Sequence, residues 1–397
     1  MRKILMATAV AVSAFGSANA AIPIKLGVLN DQSGVLVDSG GKGSVVAAQM
    51  AIDEFDAKSH DLNVTVISAD HQNKADIGLN VARKWYDVDG VDVILDVPIS
   101  SIALAISNLT REKGKILITS TGGSSELTGS KCSPNTFNWT YDTWSLAHNM
   151  GSSMTKRGGK SWFFITVDYT FGEQLEKDAT DAIVKEGGKV VGKLKTPFLA
   201  TDMSSFLLQA QASNADVIGL TNGTDQTAQS IKQSWEFGIP GSKQSLAAFI
   251  MAITDVKALG AKTAQGLYLS SPFYWDLNDR TRAFSERFAK RFDGKKPTMF
   301  QAGVYSATMH YLKAVAAAGT KDSKQVIAKM KELPTNDDVF GEGQVLENGR
   351  KIHDLYLFQI KSPSESKSPW DLYKRVAVTP AAQAFQSAKA SGCEYVK

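Results

Sequence analysis

The 397-residue chain has little charge of either sign to spare: 44 Lys and Arg stand against 40 Asp and Glu, a net of +4. An excess that small gives no electrostatic footprint for a polyanion, so no nucleic-acid partner is expected. Cysteine is nearly absent. Cys132 and Cys393 are the two in the chain, too few for a disulfide-dense scaffold or a thiolate metal cluster. The five histidines, at positions 60, 71, 148, 310 and 353, make no H-E-x-x-H or comparable ligand spacing, and no metal is expected. No stretch reaches the ~20 continuous apolar residues of a membrane-spanning helix.

Enzyme signatures are missing as well. In Gly40-Gly41-Lys42-Gly43-Ser44 the lysine is followed by glycine, not Ser or Thr, which breaks the phosphate-loop pattern. No G-x-G-x-x-G follows the first predicted strand, and no G-x-S-x-G elbow occurs. Neither a cofactor nor a catalytic centre is expected. These absences favour binding over turnover.

What is present is ordinary globular composition, 43% hydrophobic and 21% charged, in a length suited to two or three domains. The N-terminus has the three parts of an export signal. Arg2 and Lys3 precede an apolar run at 4–15, and Ala18-Asn19-Ala20 supplies the small-x-small cleavage pattern. That apolar run is too short to span ~30 Å of hydrocarbon. The chain is therefore read as a periplasmic protein cleaved after Ala20. Export permits a disulfide between Cys132 and Cys393, tying the tail to an early loop; two separate thiols are the alternative.

Beyond the signal, β-branched runs alternate with helical patterns. Strands are predicted over 24–29, 62–68, 91–95 and 116–119, with helices over 45–58, 77–86 and 100–113 between them. The cadence then restarts, with strands over 162–167, 189–193, 217–220, 246–252 and 266–270 and helices over 171–185, 204–212 and 226–237. Three helical patterns follow at 280–292, 299–318 and 323–333, then an alternating run at 354–360 and a loop at 361–367. The fold class is α/β, two doubly wound parallel-sheet lobes in tandem.

In such sheets a ligand sits beyond the carboxyl ends of the strands, near helix N-termini whose free N–H groups suit a carboxylate. In the first lobe the relevant turns are 97–101 and 119–125, the second a run of Thr, Ser and Gly. In the second lobe they are Asp168-Tyr169-Thr170-Phe171-Gly172 and Thr221-Asn222-Gly223-Thr224, with Tyr169 and Phe171 as cleft walls. Trp139, Tyr141 and Trp144 fall where the chain first crosses between lobes, and either line the cleft or pack the hinge.

The order of Ile24-Lys25-Leu26-Gly27-Val28, Ser33-Gly34, residues 47–55, Glu126-Leu127-Thr128, Phe171-Gly172-Glu173 and Ala264-Gln265-Gly266-Leu267 resembles the leucine/isoleucine/valine-binding proteins. These are type I periplasmic receptors of ABC importers. The resemblance implies two lobes joined by a three-segment hinge: 21–142 with 274–346, and 143–273 with 347–397. It also implies a small-molecule ligand and a membrane permease partner, while the small net charge and patch-poor pattern suit a monomer. A ligand carboxylate would meet Ser100, Thr121, Gly122 and Gly123, with Tyr169, Phe171 and Asn222 opposite. The family's amino-acid binders place an acid where this chain has Phe249, inside the carboxylate-free run 247–253. An ammonium buried without an anion is costly. The expected ligand is thus a carboxylic acid without an α-amino group, its apolar or aromatic body enclosed by Phe171, Phe249, Met251 and Tyr141, with Phe300 and Gln301 reaching the cleft from the first lobe. An amino-acid receptor, with Asp225 or Asp255 as the anion, stays as the alternative, as does the sensing subunit of a signalling complex. An exported enzyme is the remaining reading.

Overall fold

The computed structural model describes residues 21–397; the export signal read at 1–20 lies outside them. The first sheet starts with β1 (Ile22–Asn30), flanked in parallel by β2 (Leu62–Asp70) and β3 (Val93–Asp96). β4 (Ile116–Thr119) and β5 (Thr136–Asn138) extend it to the order β2-β1-β3-β4-β5. β3 and β4 are buried along their whole length, as continuous apolar runs must be when helices cover both faces.

The second sheet contains β6 (Ser161–Val167), β7 (Lys189–Thr196), β8 (Val217–Thr221), β9 (Ser245–Ala248) and β10 (Tyr268–Ser271). A short third sheet, β11 (Thr335–Asp337), β12 (Gly341–Val345) and β13 (Lys351–Ile352), comes next in the chain. β14 (Leu355–Ile360) and β15 (Tyr373–Thr379) then complete the second sheet, in the order β15-β14-β10-β9-β8-β6-β7. β14 runs antiparallel to β10, and β15 antiparallel to β14, so a parallel sheet ends in an antiparallel edge. The strand expected over 246–252 stops at Ala248. Past that point the Ala252 N–H donates to the Asp255 carboxylate (2.9 Å), which turns the chain into the helix Ile253–Leu259.

The helix Met299–Ala318 is buried on nearly every side, packed on the helix Gly41–Phe55 and against β3. A helix apolar all round belongs in an interior. No described helix is long and apolar enough to cross a membrane.

Two features tie distant parts of the chain. Arg350, 1% exposed, reaches from the third crossing to the first. Its guanidinium donates to Asn138 Oδ1 (2.7 Å) and to the carbonyls of Trp139 (2.6 Å) and Tyr141 (2.9 Å). Cys132 and Cys393 form a disulfide across 261 residues of sequence, bringing the tail back beside the first sheet. There Arg111 also donates to the Tyr395 hydroxyl (3.2 Å).

A third tie spans the lobes. Asp178, on the helix Thr170–Lys185, accepts hydrogen bonds from Ser125 Oγ (2.9 Å), Thr143 Oγ1 (2.6 Å) and Gln174 Nε2 (2.9 Å). Burial outweighs these donors and raises its carboxyl to about 6. A raised folded pKa means the fold prefers the protonated acid. Its contribution is whole below the unfolded value of 3.8 and is lost as pH rises through about 6. Between pH 4 and 7 the stability of the wild type relative to Asp178→Asn should fall by up to about 3 kcal/mol. Urea unfolding of both proteins across that range is the check, and parallel profiles would refute it.

Candidate functional site

β3 ends in a backbone that L-residues rarely adopt. Asp96, Val97 and Ile99 have φ of 79°, 49° and 71°. Left-handed geometry at a β-branched residue costs on the order of 1–3 kcal/mol, and such strain clusters where a site is being shaped. Here it delivers the chain into the helix Ser100–Glu112 with Ile99 at the cap and no capping side chain. The first N–H groups of that helix are left without an intrahelical acceptor. The Ser100 hydroxyl accepts from the Ser124 N–H (3.1 Å), which leaves its own proton free to donate outward.

These groups border a cavity between the lobes. The first lobe contributes Leu36, Pro98, Ile99, Ser100, Thr121 and Phe300. Tyr169, Phe171, Gly223 and Ile250 face them from the second, and Tyr141 comes from the crossing. Tyr141 and Phe300 lie 5.8 Å apart between ring centroids, and Tyr169 and Phe171 6.2 Å. The lining holds hydroxyls and apolar surface and no charged side chain.

Six of the residues expected from sequence meet here: Ser100, Thr121, Tyr141, Tyr169, Phe171 and Phe300. The others do not line the cavity. Gly122 lies behind it, its N–H donating to Thr119 Oγ1 (3.0 Å). Gly123 backs the wall: a Cβ there would lie 2.4 Å from the Tyr141 ring, so glycine lets that ring seat. Tyr141 is further fixed by its hydroxyl, which donates to the Thr121 carbonyl (2.6 Å). Asn222 is spent inside its own turn, accepting from Thr227 Oγ1 (2.6 Å). Gln301 closes a capping box with Thr298 and donates to the Gly40 carbonyl (3.1 Å). Phe249 packs into the core against Trp162 and Phe164, and Met251 sits in a separate apolar cluster with Tyr373 and Tyr274. Ile250, between them, takes the wall position.

Of the crossing aromatics, Trp139 packs the hinge, its Nε1 donating to Ser306 Oγ (2.8 Å), and Trp144 stacks on His148 outside the cavity. Asp225 and Asp255 do not line the cavity either. They border another crevice with Asp38. Burial there, with the charges of Asp225 and Asp38 adding, raises the Asp255 carboxyl to about 7.

One functional candidate was missed by sequence reasoning. Asp96, at the end of β3, is 0% exposed. The Thr121 hydroxyl donates to its Oδ1, and Asn30 Nδ2 donates to Oδ2 (3.0 Å). Burial raises its carboxyl above the usual range, against these donors and the nearby Ser44. Its sequence signal was a lone acid closing an otherwise apolar strand, Val93-Ile94-Leu95-Asp96.

Two lobes closing on a small, uncharged, hydroxyl-bearing cavity define a solute-binding protein. The family model for periplasmic binding proteins matches residues 23–367, and the chain belongs to that family. A periplasmic binding protein from Burkholderia mallei is 42% identical, with 95% of this chain and all of that one covered and a TM-score of 0.91. A branched chain amino acid ABC transporter periplasmic ligand-binding protein from Burkholderia xenovorans is 39% identical, covering 94% and 99%, with a TM-score of 0.86. An ABC transporter solute-binding protein from R. palustris, crystallised with benzoate, shares the fold at 19% identity, covering 94% and 99%, with a TM-score of 0.82. No curated protein sequence matches the chain.

Proposed function

We propose that this protein is the exported receptor of an ABC importer and encloses a small carboxylic acid with an apolar or aromatic body. The carrying observation is the lining itself, the aliphatic hydroxyls of Ser100 and Thr121 among apolar and aromatic side chains, with no carboxylate to meet an ammonium. The Ser100 hydroxyl and the uncapped N-terminus of its helix donate to the ligand carboxylate. Tyr141, Phe171 and Phe300 enclose the body. Cleavage after Ala20 releases the mature chain. The lobes are 21–142 with 274–346, and 143–273 with the segment from 347 through β15. The remaining tail goes with the first lobe, to which the disulfide holds it.

An amino-acid ligand is the second reading. Asp96 favours it, since an acid one hydroxyl behind the wall could answer an ammonium. It also agrees with the 39% identical relative being a branched chain amino acid ABC transporter periplasmic ligand-binding protein. Thermal unfolding against separate panels of monocarboxylates and amino acids tests the pair. A ligand at 100 times its Kd adds roughly 2.7 kcal/mol, a shift of a few degrees. Shifts with monocarboxylates and none with amino acids are expected; the reverse pattern rejects the first reading. Ser100→Ala should weaken the bound acid by about 1.5–3 kcal/mol, roughly 10- to 150-fold, the worth of one hydrogen bond to a charge.

A further inference from the structure

The Thr121 hydroxyl lines the cavity, yet its proton is directed inward, onto Asp96 Oδ1. As it stands, Thr121 turns only lone pairs toward a ligand. It cannot donate to a carboxylate unless Asp96 gives up its role as acceptor. Asp96 is buried, and the groups acting on it are neutral donors: Asn30 from β1, Ser44 from the helix Gly41–Phe55 and Thr121 from the loop after β4. Tyr141, from the crossing, is the titratable side chain coupled to it, and burial keeps that phenol protonated. A ligand carboxylate at Ser100 would put two like charges on either side of one hydroxyl, one of them on the fully buried Asp96. One of two such carboxylates holds a proton.

We propose that Asp96 sets the polarity of Thr121 and that the site takes up a monocarboxylate together with one proton. The proton comes from solvent and adds to an Asp96 oxygen. Asp96 then donates to Thr121 Oγ1, and Thr121 turns its own proton to the ligand. The ligand's charge replaces that of Asp96, so the net charge of the closed site does not change. A zwitterionic amino acid needs no such uptake, because its ammonium donates to Thr121 while Asp96 stays ionised. This inference rests on the receptor reading above and adds a discriminating property to it.

Titration calorimetry with benzoate, 4-hydroxybenzoate and 3-methylbutanoate, in buffers of different ionisation enthalpy, counts the protons. Uptake approaching one per ligand is expected above the pH at which Asp96 of the unliganded protein ionises, with affinity there falling toward tenfold per pH unit. Asp96→Asn imitates the protonated acid: its amide donates to Thr121 while its carbonyl accepts from Asn30. It should bind the same acids with affinity independent of pH. Should that variant not fold, the wild-type buffer series decides alone. Acid binding with no proton uptake overturns this inference and leaves the receptor reading intact, as does a pH dependence that survives in Asp96→Asn. If none of the three acids nor any other monocarboxylate binds, both fall together.

Discussion

Replacing Arg350 with methionine is expected to destabilise the protein by about 4 kcal/mol, among the largest effects of any single substitution. Methionine fills much of the volume, so the loss is one of polar partners and not of packing. Three groups from the first crossing would lose their donor: Asn138 Oδ1 and the carbonyls of Trp139 and Tyr141. Asp142, whose carboxylate lies 3.6 Å from the guanidinium and is 4% exposed, would be left without its counter-charge. Breaking one half of a buried pair costs several kcal/mol, and each orphaned acceptor adds ~1–3 kcal/mol. Burial pulls the guanidinium down to about 10, still charged at neutral pH. Arg350→Lys should recover only part, since one ammonium cannot reproduce a planar fork that reaches two strands of the hinge. Urea unfolding at pH 7 measures both variants; a loss below about 1 kcal/mol for methionine would mean the crossing holds without this residue.

The second large effect belongs to the disulfide. Removing it by the paired substitution Cys132→Ser and Cys393→Ser should cost up to ~5 kcal/mol, the chain entropy of a ring that long. The separation of 261 residues makes the ring one of the long ones, and the cost rises only slowly with length. Unfolding free energies of the wild type, with and without reductant, should differ by the same amount as wild type and variant. A difference under about 1 kcal/mol would mean that the denatured chain already keeps the two segments close.

The α/β cadence was legible because each buried strand is a compact apolar run between helical periods, and helix 299–318 was read to the residue. β15 was not legible: an edge strand, Tyr373-Lys374-Arg375-Val376-Ala377-Val378-Thr379, carries exposed cations and no clean alternation. β5 and the third sheet are two to five residues per strand, shorter than any periodicity can declare.

At the cavity, Ser100 and Thr121 could be found because hydroxyls follow strand ends in a known geometry. Phe249 and Met251 were misplaced by one residue of parity. Side chains alternate across an extended chain, so when Ile250 faces the cavity its neighbours face away. Sequence offered no way to choose the parity, because all three are apolar. Leu36 had no signal, sitting in a loop that the fold alone brings across. Asp96 was passed over because its importance lies in what it lacks, a cation, which only packing reveals.

The bridge between Cys132 and Cys393 also decides how the molecule would bear a mechanical load. Tension applied at residue 21 and beyond Cys393 passes through the sulfurs and bypasses everything between them. The whole seven-stranded sheet lies inside that shielded ring. Under force only residues 21–132 can extend, roughly 390 Å at ~3.5 Å per residue. Reduction would free the enclosed chain and add roughly 900 Å. The second sheet, together with the first-lobe helix Met299–Ala318, is thus the part of the protein that pulling on its ends cannot reach.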